Sequence, residues 1–388
     1  MTVDQSERYK LIETTDPKII SLCHSENSKS WRFKLSTDAY VQREYLLGRQ
    51  KVCNPNDSDD KDDLLGLKYY YFKDCSQDLI IGGCESLARY YYKIDATTKK
   101  PTRFISPCIG GVYIFPHYRA KGLGKIMLIQ LNQILLQKYG QDSFSTLYSE
   151  VGDYYDNFGY TSKPINLSKL PPIEPPSVYD ESNSIDSNGF SIVPISRFDL
   201  KPLTDIDNEA LQQKLLSNFN SDQVTRVSCV PDPNVYIWHF ARAIFTLPVL
   251  GHEKPSQFGI KLLNPNNNSQ IVGFIIWTYN VHGDENELFV IKSFVDETNL
   301  SIGDQIKVFK SLINLSQYHA YQKKMDLILL WQSEIPTAIN KLILNWFQND
   351  LDGEIDQKNS SISAIKFHNK LQNDSPFIWE QNSKFCWF

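Results

Sequence analysis

Phe115-Pro-His-Tyr-Arg-Ala-Lys-Gly-Leu-Gly-Lys125 joins an apolar, strand-like run (Ile109 to Phe115) to a helical one (Leu123 to Tyr139). Within it Arg119, Gly122 and Gly124 stand in the order R-x-x-G-x-G. A glycine-bearing loop between a strand and a helix N-terminus is a ready anion site. Successive N–H groups converge there, the helix dipole favours negative charge, and glycine admits a close backbone approach. The stretch therefore predicts a diphosphate cradle formed by Arg119, Lys121, Gly122, Leu123, Gly124 and Lys125, with His117 on its surface. It is not G-x-x-x-x-G-K-[ST], because no Ser or Thr follows the lysine, nor G-x-G-x-x-G, because its glycines come last.

A second element follows downstream. Phe144-Ser-Thr-Leu-Tyr-Ser149 reads as a strand, and Tyr154-Tyr-Asp-Asn-Phe-Gly159-Tyr160 comes after it. Together the two pieces resemble the GCN5-related N-acetyltransferase superfamily. There, Q/R-x-x-G-x-G/A joins the fourth strand to the third helix and binds the acetyl-coenzyme-A pyrophosphate, and Y-x-x-x-G-F/Y follows the fifth strand. Ile114-Phe115-Pro116 is similar to that family's V-x-P strand end. The likeness covers about residues 1 to 170. A narrower one, to the yeast lysine N6-acetyltransferase family, rests on Ser149-Glu150-Val-Gly152, on Trp238-His239 with Arg242, and on the two-half layout.

With 388 residues the chain has room for two full cores. A net charge of −5 without a basic stripe argues against a nucleic-acid partner and favours a small metabolite or peptide. Seven scattered cysteines without C-x-x-C argue against a disulfide framework or a zinc site, so no metal is expected. The polar N-terminus and the lack of an apolar run of ~18 residues predict neither signal peptide nor membrane contact, which makes the cytoplasm the expected location.

The expected fold class is α/β (α+β). Residues 1–165 form an acetyl-CoA-binding acetyltransferase domain with a mixed, splayed sheet, 166–190 a Pro-rich linker, and 191–388 a second α/β domain. Residues 9 to 50 read as helical-period segments, with Ser36 capping Ala39 to Leu47, and Asn54 to Asp63 as a solvated loop. Strands are predicted at Leu67–Lys73, Leu79–Lys93 and 103–115, the last made irregular by Pro107 and Gly110-Gly111. In the second half Ile271–Val281 and Glu287–Phe294 read as strands, Gly303–Ala320 as a helix and Asp326–Gln332 as a strand, repeating the first half's order. The loop between Phe294 and Gly303 has no arginine and carries two carboxylates, which predicts a degenerate copy without cofactor binding; a different α/β fold is the alternative.

The resemblance implies acetyl-CoA as co-substrate and direct attack by an amine in a ternary complex. A lysine ε-amine is neutral only about once in 2,500 at pH 7, a cost of roughly 4–5 kcal/mol unless the site helps. Tyr155 is the implied acid at the departing thiolate and the Ile114 N–H the implied holder of the thioester carbonyl. For the base the candidates are Glu150 first, Glu85 second, then a water, or a terminal carboxylate at Phe388 as in some two-domain relatives. The narrower likeness implies free L-lysine as acceptor, in lysine catabolism. A protein or polyamine amine, or a non-catalytic acyl-CoA-binding regulator, are the alternatives. The sequence leaves the oligomeric state open.

Overall fold

Tyr9–Thr14 (β1) is an edge strand, where the sequence suggested helix. Pairing all six residues with β2 (Gly66–Asp74) buries Leu11, and the long-range partner overrides the local pattern. Its outer edge is covered by Gln130, which accepts from the Leu11 N–H and donates to the Tyr9 carbonyl, both at 2.7 Å. This computed structural model of the protein describes residues 7–55, 63–176, 185–281, 283–369, 373 and 375–388. Most of the solvated loop expected over 54–63 lies outside them.

The helices α1 (Pro17–Trp31) and α2 (Thr37–Leu47) lie between β1 and β2. Asp16 caps α1 by accepting from the Lys18 N–H, and Ser36 caps α2 by accepting from that of Ala39. An antiparallel meander follows, β2 to β3 (Leu79–Ile94) to β4 (Thr102–Ile114). Then α3 (Leu123–Tyr139) crosses over to β5 (Phe144–Ser149), which runs parallel to β4. On α3, Met127, Leu128, Leu131 and Leu135 are buried against the sheet.

The next two strands part company. β6 (Thr161–Ser162) stays in the first sheet, whereas β7 (Leu167–Leu170) enters the second. The second half supplies β8 (Ser191–Pro194), α4 (Leu200–Asp222), β9 (Thr225–Cys229), α5 (Pro233–Val249), β10 (Gly259–Asn264), β11 (Asn267–Asn280) and β12 (Glu287–Val295). It continues with α6 (Ile302–Gln322), β13 (Leu327–Trp331), α7 (Asn340–Asp350), β14 (Glu354–Gln357), β15 (Ile362–Phe367) and β16 (Phe377–Trp379). No helix among the described residues is long and apolar enough to cross a membrane.

The first sheet runs β1-β2-β3-β4-β5-β15-β6, with β9 also on β3 and β16 on β9; the second runs β14-β7-β13-β12-β11-β10-β8. Each half therefore completes the other's sheet. β15 pairs six residues of β5, and β7 pairs four of β13. The stretch expected as a linker over 166–190 begins with a sheet strand, β7, in which Leu167 and Leu170 are buried. Aromatic rings bind the exchange, with Tyr91 on Phe144 (5.2 Å between centroids), Phe144 on Phe367 (5.5 Å) and Phe367 on Phe377 (5.1 Å).

Ile365 is fully buried on β15. Ile365→Ala should cost about 2–4 kcal/mol in urea unfolding and speed amide exchange along β5, some two hundred residues away in sequence. Unchanged β5 exchange in that variant would mean the first sheet closes without its borrowed strand.

Candidate active site

β4 and β5 are paired through only two residue pairs, Cys108 with Thr146 and Ile109 with Leu147. Beyond them β4 bulges against β3: the register jumps between Glu85↔Gly110 and Gly83↔Tyr113. Gly111 takes φ +58° there, a left-handed conformation that a side chain would strain. The irregularity expected from Gly110-Gly111 is this bulge. Past it the Phe115 N–H donates to the Ile81 carbonyl (2.9 Å), so the alternating ladder turns the N–H and C=O of Ile114 away from β3, into the gap. The Ile114 carbonyl is taken by Arg119 Nε at 2.9 Å.

The cradle lies at the end of this gap. Gly122 is the N-cap of α3 at φ +71°, with no side-chain cap. Among the described residues the N–H groups of Lys121 to Gly124 donate to no backbone carbonyl. Arg119, Lys121, Gly122 and Lys125 are exposed, Gly124 is partly so, and Leu123 turns into the core. Free donors, a helix N-terminus and three cations at an open surface fit a diphosphate. His117 is exposed in the short 3₁₀ turn Pro116–Tyr118. The Tyr154 hydroxyl lies 3.5 Å from where a Gly124 side chain would begin, so it reaches the cradle, a neighbour that the sequence analysis passed over in favour of Tyr155.

Tyr155 sits in the 3₁₀ turn Tyr154–Phe158, its ring in the core between Tyr154 and Tyr160. Burial, with lesser contributions from Cys84, Tyr154 and Glu150, pushes its phenol well above the usual tyrosine range, so it keeps its proton at neutral pH. No hydrogen-bond partner engages its hydroxyl among the described residues.

The two carboxylate candidates flank the gap differently. Glu150, exposed just past β5, accepts from the indole N–H of Trp31 (2.8 Å). Trp31 in turn meets Tyr113 (5.7 Å between centroids), whose ring also carries Arg119 at 4.6 Å. Glu85, on β3, faces the bulge and bonds His24 Nε2 at 2.7 Å. Burial opposes a charge on His24, but Glu85 overrides it and holds the imidazole above its ordinary value. Glu85 borders a cavity of about 10 Å³, lined also by Cys23, Asn27, Gly111 and Tyr113. That is the room of roughly one water molecule. Asn27 is buried there with its side-chain oxygen unpartnered.

The second half closes over the gap. Buried Arg89 donates to the Cys386 carbonyl at 2.6 Å, which sets Trp387 and Phe388; the Phe388 ring lies 2.9 Å from where a Gly110 side chain would begin. Lys384 Nζ lies 3.6 Å from the Trp387 ring centre and 4.9 Å from that of Phe289. Although the residue keeps some surface, this enclosure and the charge of Arg242 pull its ammonium down to about 7, against Glu287 and Glu150.

The equivalent gap in the second half, between β12 and parallel β13, is filled by the chain itself. The Ser293 N–H donates to the Glu334 carboxylate at 2.5 Å, and the Ser293 hydroxyl to the Glu334 carbonyl. Burial raises Glu334 while Lys292, paired with Asp207 at 3.3 Å, opposes that rise. The start of α6 is capped by Ser301 with Asp304 beside it, a poor seat for an anion.

A profile of the LYC1 GNAT-like C-terminal domain family matches residues 177–388, more than half of the chain. The chain belongs to that family. Relatives extend over nearly its whole length: an uncharacterized protein of Saccharomyces cerevisiae is 28% identical over 96% of both chains. A protein of Yarrowia lipolytica named lysine acetyltransferase is 22% identical over 97% of this chain and 99% of its own. A GCN5-related N-acetyltransferase of Anabaena variabilis, at 14% identity, superposes with a TM-score of 0.56 over 94% of this chain and 74% of that one. The structural likeness shows the GCN5-related acetyltransferase fold.

Two outcomes follow for this site. Arg119→Ala should weaken coenzyme-A binding about tenfold, the loss of ~1.4 kcal/mol, in a calorimetric titration of the folded protein. Lys384 titrates at 10.5 when unperturbed and near 7 here, so between those values the unfolded chain binds more protons and the group makes stability rise with pH. Lys384→Met should flatten that rise, read from urea midpoints at about pH 7 and about pH 10.

Proposed function

We propose that this chain is an acetyl-CoA-dependent N-acetyltransferase whose acceptor is the side-chain amine of free L-lysine, working in the cytoplasm in lysine catabolism. The observation that carries the reading is the parted β4 and β5, with the Ile114 N–H turned into the gap, free N–H groups at the α3 terminus and the Glu85–His24 pair beside the bulge. The lysine assignment draws on the resemblance and on the name of the Yarrowia lipolytica relative. Since Glu334 occupies the second gap, each chain has one working site.

Arg119, Lys121, Lys125 and the N–H groups of Gly122 to Gly124 hold the diphosphate of the co-substrate, which supplies the acetyl group as a thioester. The Ile114 N–H polarises the carbonyl as negative charge develops on its oxygen. The acceptor amine must arrive neutral. Glu85 and His24 take its proton, through a water in the small cavity, and the carboxylate then stabilises the imidazolium. This reading prefers Glu85 to Glu150, whose carboxylate is exposed and engaged by Trp31. Tyr155, protonated at neutral pH, donates to the departing thiolate, mainly as a stabilising hydrogen bond because its own acidity is low.

The test is acetyl-CoA-dependent thiol release with L-lysine, with mass spectrometry locating the acetyl group on the ε-nitrogen. Tyr155→Phe should lower kcat about 100-fold while the acetyl-CoA KM holds. Measurable acetyl-CoA binding without thiol release for any amine would overturn the enzyme reading.

A further inference from the structure

Arg242 lies on α5, one turn beyond Trp238, and faces α2 of the first half. Its guanidinium is 5.2 Å from the ring centre of Trp387 and 6.0 Å from that of Trp238. Among the described residues it has neither an ion-pair partner nor a hydrogen bond. The nearby carboxylates are engaged elsewhere: Glu44 pairs with Arg43 at 2.5 Å, and Glu150 accepts from Trp31. Lys384, the other cation against Trp387, is likewise without an ion-pair partner among the described residues.

A guanidinium cannot shed its charge as an ammonium can, so a partly buried arginine without a counter-ion costs stability unless an anion completes it. Arg242 is held against that cost. Burial foremost, and then Arg43, weaken its hold on the proton, to a value of about 10. This spot is set apart from the cradle, where Arg119, Lys121 and Lys125 stand beside their own helix terminus. It borders the gap from the opposite half: Trp387 leads to Phe388, which lies on Gly110 of β4, and Glu150 follows β5 directly. Here a fork of N–H donors stands beside two indole rings.

We infer that Arg242 receives the α-carboxylate of a free amino-acid acceptor, so that the side-chain amine is the end that reaches the gap. The inference rests on the acetyltransferase reading above and deepens it. A planar guanidinium matches a carboxylate through two parallel hydrogen bonds, a geometry that a diamine or an amidated end cannot use. The rings of Trp238 and Trp387, 6.0 Å apart between centroids, suit the methylenes between the two ends, which carry no charge. Arg242 acts by binding and has no part in the chemical step, so its loss belongs in KM.

The experiment compares L-lysine, L-lysinamide and cadaverine as acceptors for the full-length wild type, Arg242→Ala and Arg242→Lys. The wild type should prefer L-lysine over the other two by roughly 100-fold in kcat/KM. Arg242→Ala should remove that preference through the L-lysine KM, leaving the acetyl-CoA KM and both carboxylate-free acceptors within about threefold. Arg242→Lys, which keeps the charge but loses the fork, should recover part of it and guards against a variant that fails to fold. Equal use of L-lysine and L-lysinamide by the wild type, or an equal loss for all three acceptors in Arg242→Ala, would overturn the inference and leave the acetyltransferase reading intact. If no acceptor is used, the functional reading falls by itself. Tryptophan-fluorescence titration with L-lysine in the presence of coenzyme A then decides the inference: binding that Arg242→Ala weakens supports it, and the same response in both proteins overturns it.

Discussion

The parting of β4 from β5 after two residue pairs is the constraint around which the molecule is arranged. Strands that diverge leave backbone donors and acceptors without ladder partners, and such groups are costly unless something satisfies them. In the first half the bulge at Gly111 starts the divergence, and six pairs to β15 hold β5 in its separate course. The groups left over, such as the Ile114 N–H, face a gap bordered by the free end of α3. In the second half β12 and β13 part in the same way after three pairs, but Glu334 turns back and occupies the Ser293 N–H. One fold thus meets one backbone problem twice, once by leaving it to a ligand and once with its own carboxylate.

The same constraint explains why the halves trade strands. A β5 that leaves β4 needs a partner on its other side, and here that partner comes from near the end of the chain, while β7 does the same service for β13. The exchange brings α5 of one half against α2 of the other. The surroundings of the gap are therefore drawn from both halves: His24, Trp31 and Glu85 come from the first, and Trp387 and Phe388 from the second. Charges that would be unremarkable on a surface become strongly perturbed there, because aromatic rings exclude water around them.

What was legible in the sequence was local. The strand–loop–helix from Ile109 to Tyr139, the cradle glycines, the strand Phe144–Ser149 and the order of elements from β11 to β13 are carried by short-range periodicity and by residues whose backbone needs are their own. Where long-range pairing governs, the reading failed: β1 was taken for helix, and β7 was lost in a Pro-rich stretch. The helix α4 went unread although Leu200, Leu203, Leu211, Leu215 and Phe219 mark a buried face. Of the candidate site, motif spacing singled out Tyr155 and the loop glycines, and the structure puts Gly122 at the N-cap of α3 and Tyr155 in the turn after β5. His24, Trp31, Tyr154 and Lys384 carried no signal, since an isolated residue on a helix or turn gains meaning only from what stands opposite.

The sequence by itself thus determined the acetyltransferase order of elements and the glycine-bearing loop that opens α3, since turn glycines, helix termini and apolar periodicity act within a few residues of chain. Only the tertiary structure decided that the two halves share their sheets, that Glu334 occupies the second gap, and that Arg242 packs against the rings of Trp238 and Trp387. Those features depend on groups well separated along the chain, 41 residues for Ser293 and Glu334 and more for the exchanged strands, and nothing in local backbone preference specifies which of them meet.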